Sequence, residues 1–453
     1  MIWILSSEHQ HEFFNDSFFD MPPPILTNTL YSAKRIKCRS VSFYTEEEGL
    51  LSMKEKVPPY FEGVYEYISM PRRLLFGPDS VKNVGKEVKR FGNRALIVTD
   101  EGVQRAGLVS KVTDALLTEG VEFYVFNGVK MEPDLENARV VAKTSRERDY
   151  DVVIGVGGGS CLDMAKVATV MATNEGDVEE YFGDELVKRP GLPLILIPTT
   201  SGSGSEATRG SVISVGDIKK VIFSRWMIAE VAIVDPMMTL TMPPKLTAIT
   251  GIDALSHAVE STLSKRSNIV SSALARESIK LVSEGLEAAY RNGKDVNARY
   301  RMAIAATLAG ASFANSSVIL GHGISYALGT LFHVPHGLGC GIALPYVMEY
   351  NMQVRADALR DVAASFGLNV WGLDDLEAAK MAVRATANLI KNVELPISLK
   401  EMGIPREAVP ELANVLVSKY QRLLNNNPCE VTYEDANRIF MRMWEGRLES
   451  LGG

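Results

Sequence analysis

The chain of 453 residues has no CxxC pair, no basic stripe and no long uninterrupted apolar run, and each absence removes a class of function. Its four cysteines (Cys38, Cys161, Cys340 and Cys429) are scattered, so they read as reduced cytoplasmic thiols rather than a disulfide framework or a zinc cluster. A formal charge of −7 and a pI of about 5.6 argue against nucleic-acid and anionic-membrane partners. Nor do the first thirty residues make a signal peptide or a membrane span. No charged n-region precedes their apolar residues, and Glu8, Glu12, Asp16 and Asp20 interrupt them. Pro22 to Pro24 and the run Glu46 to Glu48 mark loop. Residues 1–65 are expected to be a poorly ordered or loosely docked extension, with His9 and His11 on an exposed tail. Met53 opens a more regular stretch, where an alternative start would fall.

What remains is ordinary globular composition, 46% hydrophobic and 23% charged, in a chain long enough for two cores. From about residue 66, short apolar runs alternate with helical periodicity. ALIVTD, VEFYVFNGV, DVVIGV, LPLILIPTT and EVAIVDP read as strands, with helices predicted after Leu108, Asp134 and Ser160. Such alternation implies a mostly parallel α/β sheet that binds its ligand at the carboxyl ends of the strands. After Pro243 and Pro244 helical periodicity dominates to the end. The predicted division is an α/β domain over 66–245 and an all-helical domain over 246–453 with the active site in the cleft between them.

Histidine is scarce, at six residues, yet three fall in one constellation: Asp253 and His257 in GIDALSHAVE, then His322 and His336 in GHGISYALGTLFHVPHG. A spacing of four puts Asp253 and His257 on one helix face. One carboxylate and three imidazoles suit Fe, Zn, Co or Mn rather than Ca or Mg. A second signal is GVGGGSCLDMAK, a glycine loop at a strand-to-helix junction, where free N–H groups favour a phosphate. Its plainer reading is a tight turn, and it is not the G-x-G-x-x-G fingerprint. PTTSGSGSEAT, after another strand, offers the Thr199, Thr200 and Ser203 hydroxyls. Asp100, at a strand end, is placed to accept from a ribose and to repel a 2′-phosphate, though such residues often serve as helix caps.

Together GGGSCLDMAK, PTTSGSGSE, VDPMMTLTMPPKLTAITGIDALSHAVE and GHGISYALGTLFHVPHG resemble the iron-containing (group III) alcohol dehydrogenase family over roughly residues 68–450. The resemblance implies a Rossmann-like nucleotide-binding domain and a helical metal domain, commonly as a homodimer. It implies Asp253, His257, His322 and His336 as ligands to Fe(II), or zinc in some members. For NAD(H) it implies Gly157, Gly158, Gly159 and Ser160 at the pyrophosphate, continued by Asp163 and Lys166, with Asp100, Thr199, Thr200, Ser203 and Lys220 as further contacts. Lys220 needs a one-residue gap to align. The implied activity is NAD(H)-linked alcohol oxidation or aldehyde reduction of a small molecule, the metal acting as Lewis acid on the substrate oxygen. A hydroxyacid–oxoacid transhydrogenase or maleylacetate reductase of the same superfamily is the alternative. A dehydroquinate synthase-like lyase is more remote, because Ala254, Leu255, Ala258, Ile324 and Leu328 make the quartet's surroundings apolar. One departure stands out: Tyr326 occupies a position where many members carry a histidine. Tyr326 and His333 are therefore candidate proton relays.

Overall fold

The structure, a computed structural model, describes residues 70–216 and 218–451. The readings made for residues 1–65, including His9, His11 and Met53, lie outside the described residues.

Six strands form one parallel sheet in the order β1-β9-β6-β4-β2-β3. They are β1 (Arg73–Phe76), β2 (Arg94–Val98), β3 (Glu122–Phe126), β4 (Val152–Gly157), β6 (Leu194–Pro198) and β9 (Val231–Val234). The central β4 is buried along its whole length, as expected of a strand with helices on both faces. A small second sheet joins β5 (Gly183–Asp184) to the hairpin β7 (Gly210–Val215) and β8 (Ile218–Phe223). Of these elements β1 and the second sheet are absent from the strands read in the sequence. The four-residue β1 lies at the sheet edge, and the hairpin's half-buried faces interrupt any apolar run.

Short helices α1 (Val84–Val88) and α2 (Glu101–Arg105) and the longer α3 (Leu108–Thr118) cover one face of the sheet around Ala95, Ile97, Ile154 and Ile195. Helices α4 (Leu135–Arg146) and α5 (Gly159–Met171) cover the other, around Leu96, Val98, Val153 and Leu196. The chain leaves β2 toward β3 and leaves β4 toward β6, in opposite directions along the sheet. The crevice between those two carboxyl ends is therefore a topological switch point, where ligands of open α/β sheets bind.

All strands among the described residues end by Val234, and from Pro244 the chain is helical. The helices used below are α6 (Pro244–Leu263), α7 (Ile269–Arg291), α8 (Val296–Ala314), α9 (Leu320–Phe332) and α10 (His336–Ser365). A core including Leu255, Ile279, Met302, Ile324 and Leu344 unites these helices. Pro244 sits in the first turn of α6, where its fixed φ and missing N–H cost nothing. Both halves lie within one compact unit.

Candidate metal centre and nucleotide crevice

Three helices bring the predicted quartet together. Asp253 and His257 project one turn apart from α6, His322 lies in the first turn of α9, and His336 is the first residue of α10. The His257 and His322 rings stand 4.7 Å apart, those of His322 and His336 5.2 Å, and His336 Nε2 lies 3.9 Å from Asp253 Oδ1. Phe313 of α8 stacks on the other side of His257 at 4.4 Å.

Partners behind the rings decide which nitrogens face inward. Glu260, one further turn along α6, is fully buried and accepts from His322 Nδ1 at 2.8 Å and from the Ile319 backbone N–H at 2.7 Å. A proton held on Nδ1 leaves His322 Nε2 with a free lone pair. Ser325 Oγ donates to the His336 carbonyl at 2.7 Å, so it can accept from His336 Nδ1 at 3.1 Å, again freeing Nε2. Burial, with His322 nearby, holds His257 well below its ordinary pKa, and burial lowers His336 to about 3. For His322 burial also works downward, but the Glu260 carboxylate, aided by Asp253, raises it overall.

The quartet fits a metal ion on one physical ground. Asp253 Oδ1, His257 Nδ1 and His322 Nε2 are buried with no hydrogen-bond partner. Leaving such an atom unsatisfied costs on the order of 1–3 kcal/mol, more for a charged group, and Asp253 and His322, whose donor atoms cluster with those of His336, suit a shared cation. Two further residues belong to this site. Glu260 follows Asp253 and His257 at helical spacing, a signal present in GIDALSHAVE. Cys340 Sγ joins Asp253, His322 and His336 in a set whose donor atoms all lie within 4.8 Å of one another.

Across the crevice the glycine loop presents backbone. Gly158 caps α5 without any side-chain bond, so the first N–H groups of that helix are unclaimed by a cap. Gly157 has φ +152°, and a Cβ there would come within 2.6 Å of Cys161. Asp100, at the end of β2, caps α2 through the Val103 N–H at 2.8 Å and accepts from the Cys161 thiol at 3.1 Å. It borders the switch point but already serves as a cap. Thr199 donates its N–H to the Gly157 carbonyl at 2.9 Å, and Thr200 and Ser203 lie beside Gly158 and Gly159.

Asp163 and Lys166 do a different job. Both are buried; Asp163 accepts from Ser205 Oγ at 2.6 Å and the Val212 N–H at 2.8 Å. Lys166 Nζ donates to Ser205 Oγ, Thr208 Oγ1 and the Gly210 carbonyl, at 2.7, 2.9 and 2.8 Å. The charged residues of the motif thus hold the Thr/Ser loop in place. That loop in turn docks on the helical half: Gly204 has φ +58°, and a Cβ would stand 2.4 Å from the Ala306 carbonyl of α8. Glu206 in the same loop accepts from Thr307 Oγ1 at 2.7 Å.

A cleft of about 130 Å³ opens from His336, lined by Tyr326, His333 and Thr330 from the helices and by Glu132, Ser214 and Lys219 from the α/β half. Lys220, the predicted contact, points elsewhere, its ammonium 5.3 Å from the centre of the Phe182 ring. Its neighbour Lys219 reaches the cleft, bonding Glu132 at 2.9 Å and Ser214 at 2.8 Å. Tyr326 stacks on His336 at 5.2 Å, and burial raises its phenol, which stays protonated. His333 is exposed at the mouth, where it ends α9 in the left-handed region with φ 53°. A larger surface groove of about 360 Å³ lies beside Arg139, Arg146 and Asp177 and holds none of the predicted residues. Arg139 is paired there with Asp177 at 2.8 Å.

Comparison with known proteins agrees with this architecture. Residues 71–236 match the model of a family described as iron-containing alcohol dehydrogenase, and residues 247–444 match the C-terminal model of the same family. The long-chain-alcohol dehydrogenase 1 of Geobacillus thermodenitrificans is 40% identical, over 83% of this chain and 98% of that protein. The 1,3-propanediol dehydrogenase of Citrobacter freundii is 35% identical, over 78% and 92%. A crystal structure of 1,3-propanediol oxidoreductase superposes with a TM-score of 0.81 at 33% identity, covering 84% of this chain and all of that one. A sulfoacetaldehyde reductase of Bifidobacterium kashiwanohense, solved with NAD+, superposes at 0.75 with 26% identity, over 84% and 99%.

Proposed function

The chain belongs to the iron-containing alcohol dehydrogenase family, and from that premise we propose an iron-dependent, NAD(H)-linked alcohol dehydrogenase or aldehyde reductase acting on a small-molecule substrate. The observation that carries this reading is the set of unpaired buried donors on Asp253, His257 and His322, joined in one chain to an uncapped helix N-terminus at Gly158.

In this reading Asp253, His257, His322 and His336 hold Fe(II), with zinc as the alternative ion. When bound, the ion supplies Lewis acidity toward an alcohol or carbonyl oxygen, and the nicotinamide supplies the hydride acceptor or donor. The protein's own work is positioning. Glu260 and Ser325 keep protons on the outer ring nitrogens, so the inner ones stay ligands. Backbone N–H groups at Gly157 to Ser160 receive the pyrophosphate, and Asp100 disfavours a 2′-phosphate. Thr199, Thr200, Ser203 and Lys219 line the nucleotide's path. Asp163 and Lys166 fix the Thr/Ser loop from behind. Tyr326, beside His336, and His333, at the mouth of the cleft, are the candidates to pass the proton between substrate and water, outward in alcohol oxidation and inward in aldehyde reduction. A cytoplasmic homodimer fits the reduced thiols and the family.

The test is anaerobic purification with metal analysis, followed by a NADH-coupled screen of aldehydes, diols and hydroxyacids. We expect metal-dependent NADH oxidation by an aldehyde. Metal-replete protein that binds NADH yet reduces no carbonyl compound would overturn the reading.

A further inference from the structure

We propose that Cys340 is itself a donor to the metal centre, a thiolate that draws the site toward zinc. The inference rests on the metal reading above and adds a ligand to it. Cys340 lies one turn beyond His336 on α10, so the two side chains share a helix face. Its Sγ stands 3.7 Å from His336 Nε2, the nitrogen that Ser325 leaves free. Sulfur, an Asp253 oxygen and one ring nitrogen each from His322 and His336 lie within 4.8 Å of one another. That set excludes His257, whose ring lies 4.7 Å from that of His322.

The cysteine does not stand alone. Asp253 Oδ1 and His322 Nε2 are unpartnered in residues that are 6% and 2% exposed, and both residues belong to the same tight set. The fully buried thiol faces polar groups of the cluster, the His336 imidazole and the Asp253 carboxylate. As the metal–sulfur bond forms the S–H bond breaks and the proton leaves to solvent through the cleft; no electron changes hands. Among the ions the quartet suits, a thiolate ligand favours zinc.

Cobalt(II) substitution of the full chain reads this directly. Expected is a near-ultraviolet thiolate-to-cobalt charge-transfer band in the wild type that vanishes in both Cys340→Ala and Cys340→Ser. The visible d–d bands and one equivalent of cobalt should remain in each. Competition should also show the preference for zinc over iron(II) falling about tenfold in Cys340→Ala. A wild type that holds one cobalt with d–d bands but no charge-transfer band would overturn the role of Cys340 and leave the metal site standing. A band that persists in Cys340→Ala would do the same. Natively folded wild type that binds no cobalt at all would instead sink the metal reading.

Discussion

The two halves of this molecule treat their buried polar groups in opposite ways. In the α/β half the charged Asp163, Lys166 and Asp100 all have partners within the protein, and what is left open is uncharged: the helix start after Gly158 and hydroxyls such as those of Thr99 and Ser201. In the helical half the backbone is closed into long helices, and what is left open is side chain: Asp253 Oδ1, His257 Nδ1 and His322 Nε2. A phosphate is bound by main-chain N–H groups, so motif residues around such a loop are free to build its scaffold. A cation must be bound by lone pairs, so its ligands stay unsatisfied until it arrives. On the proposed function, side chains named by a motif are ligands in one half and supports in the other.

That contrast can be broken experimentally. Asp253→Ala or His322→Ala removes an open donor, and turnover should fall about a thousandfold or more while the circular-dichroism spectrum stays native. Lys166→Ala removes a support: it strips three hydrogen bonds from the Thr/Ser loop and leaves Asp163 buried without its cation. We expect a loss of about 3–5 kcal/mol in denaturant unfolding, with metal content per folded molecule unchanged. Were metal content to fall and stability to hold, the division between supports and ligands would be reversed. Glu260→Gln keeps the shape behind His322 but removes the charge, so metal affinity should drop about tenfold to a hundredfold in a chelator competition. Gly204→Ala strains the loop that docks on α8, lowering stability by about 1–3 kcal/mol and raising KM for the nucleotide more than for the aldehyde. Smallest, Asp100→Gly should move the NADH-to-NADPH preference toward NADPH by about tenfold. An unchanged ratio would leave Asp100 as the cap of α2 and nothing more.

Much of this was legible in the sequence because the signals were local. The apolar runs of β2, β3, β4, β6 and β9 are uninterrupted, and the spacing of Asp253 and His257 needs only a helix to be read. Glu260 was equally within reach, three residues beyond His257, but it is a positioning residue and carries no ligand signature. The hairpin β7–β8 was less visible. Its strands pair in a register set by a turn at Gly216, with half-buried faces that mix Ser, Lys and Ile. Without that register, nothing in KKVIF says that Lys219 reaches the cleft while Lys220 covers Phe182. Cys340 looked like one of four scattered thiols because its neighbourhood exists only once α6, α9 and α10 have met.

The central claim is that the unpaired donors of the helical half hold one catalytic metal. Metal stoichiometry by mass spectrometry tests it most directly, on anaerobically purified wild type, the wild type after chelation, and His322→Ala, with NADH-linked aldehyde reduction measured on the same samples. The account predicts one equivalent of iron or zinc in the wild type, almost none in the other two, and activity that follows the metal and returns on reloading only in the chelated wild type. Full activity in chelated, metal-free protein would contradict it.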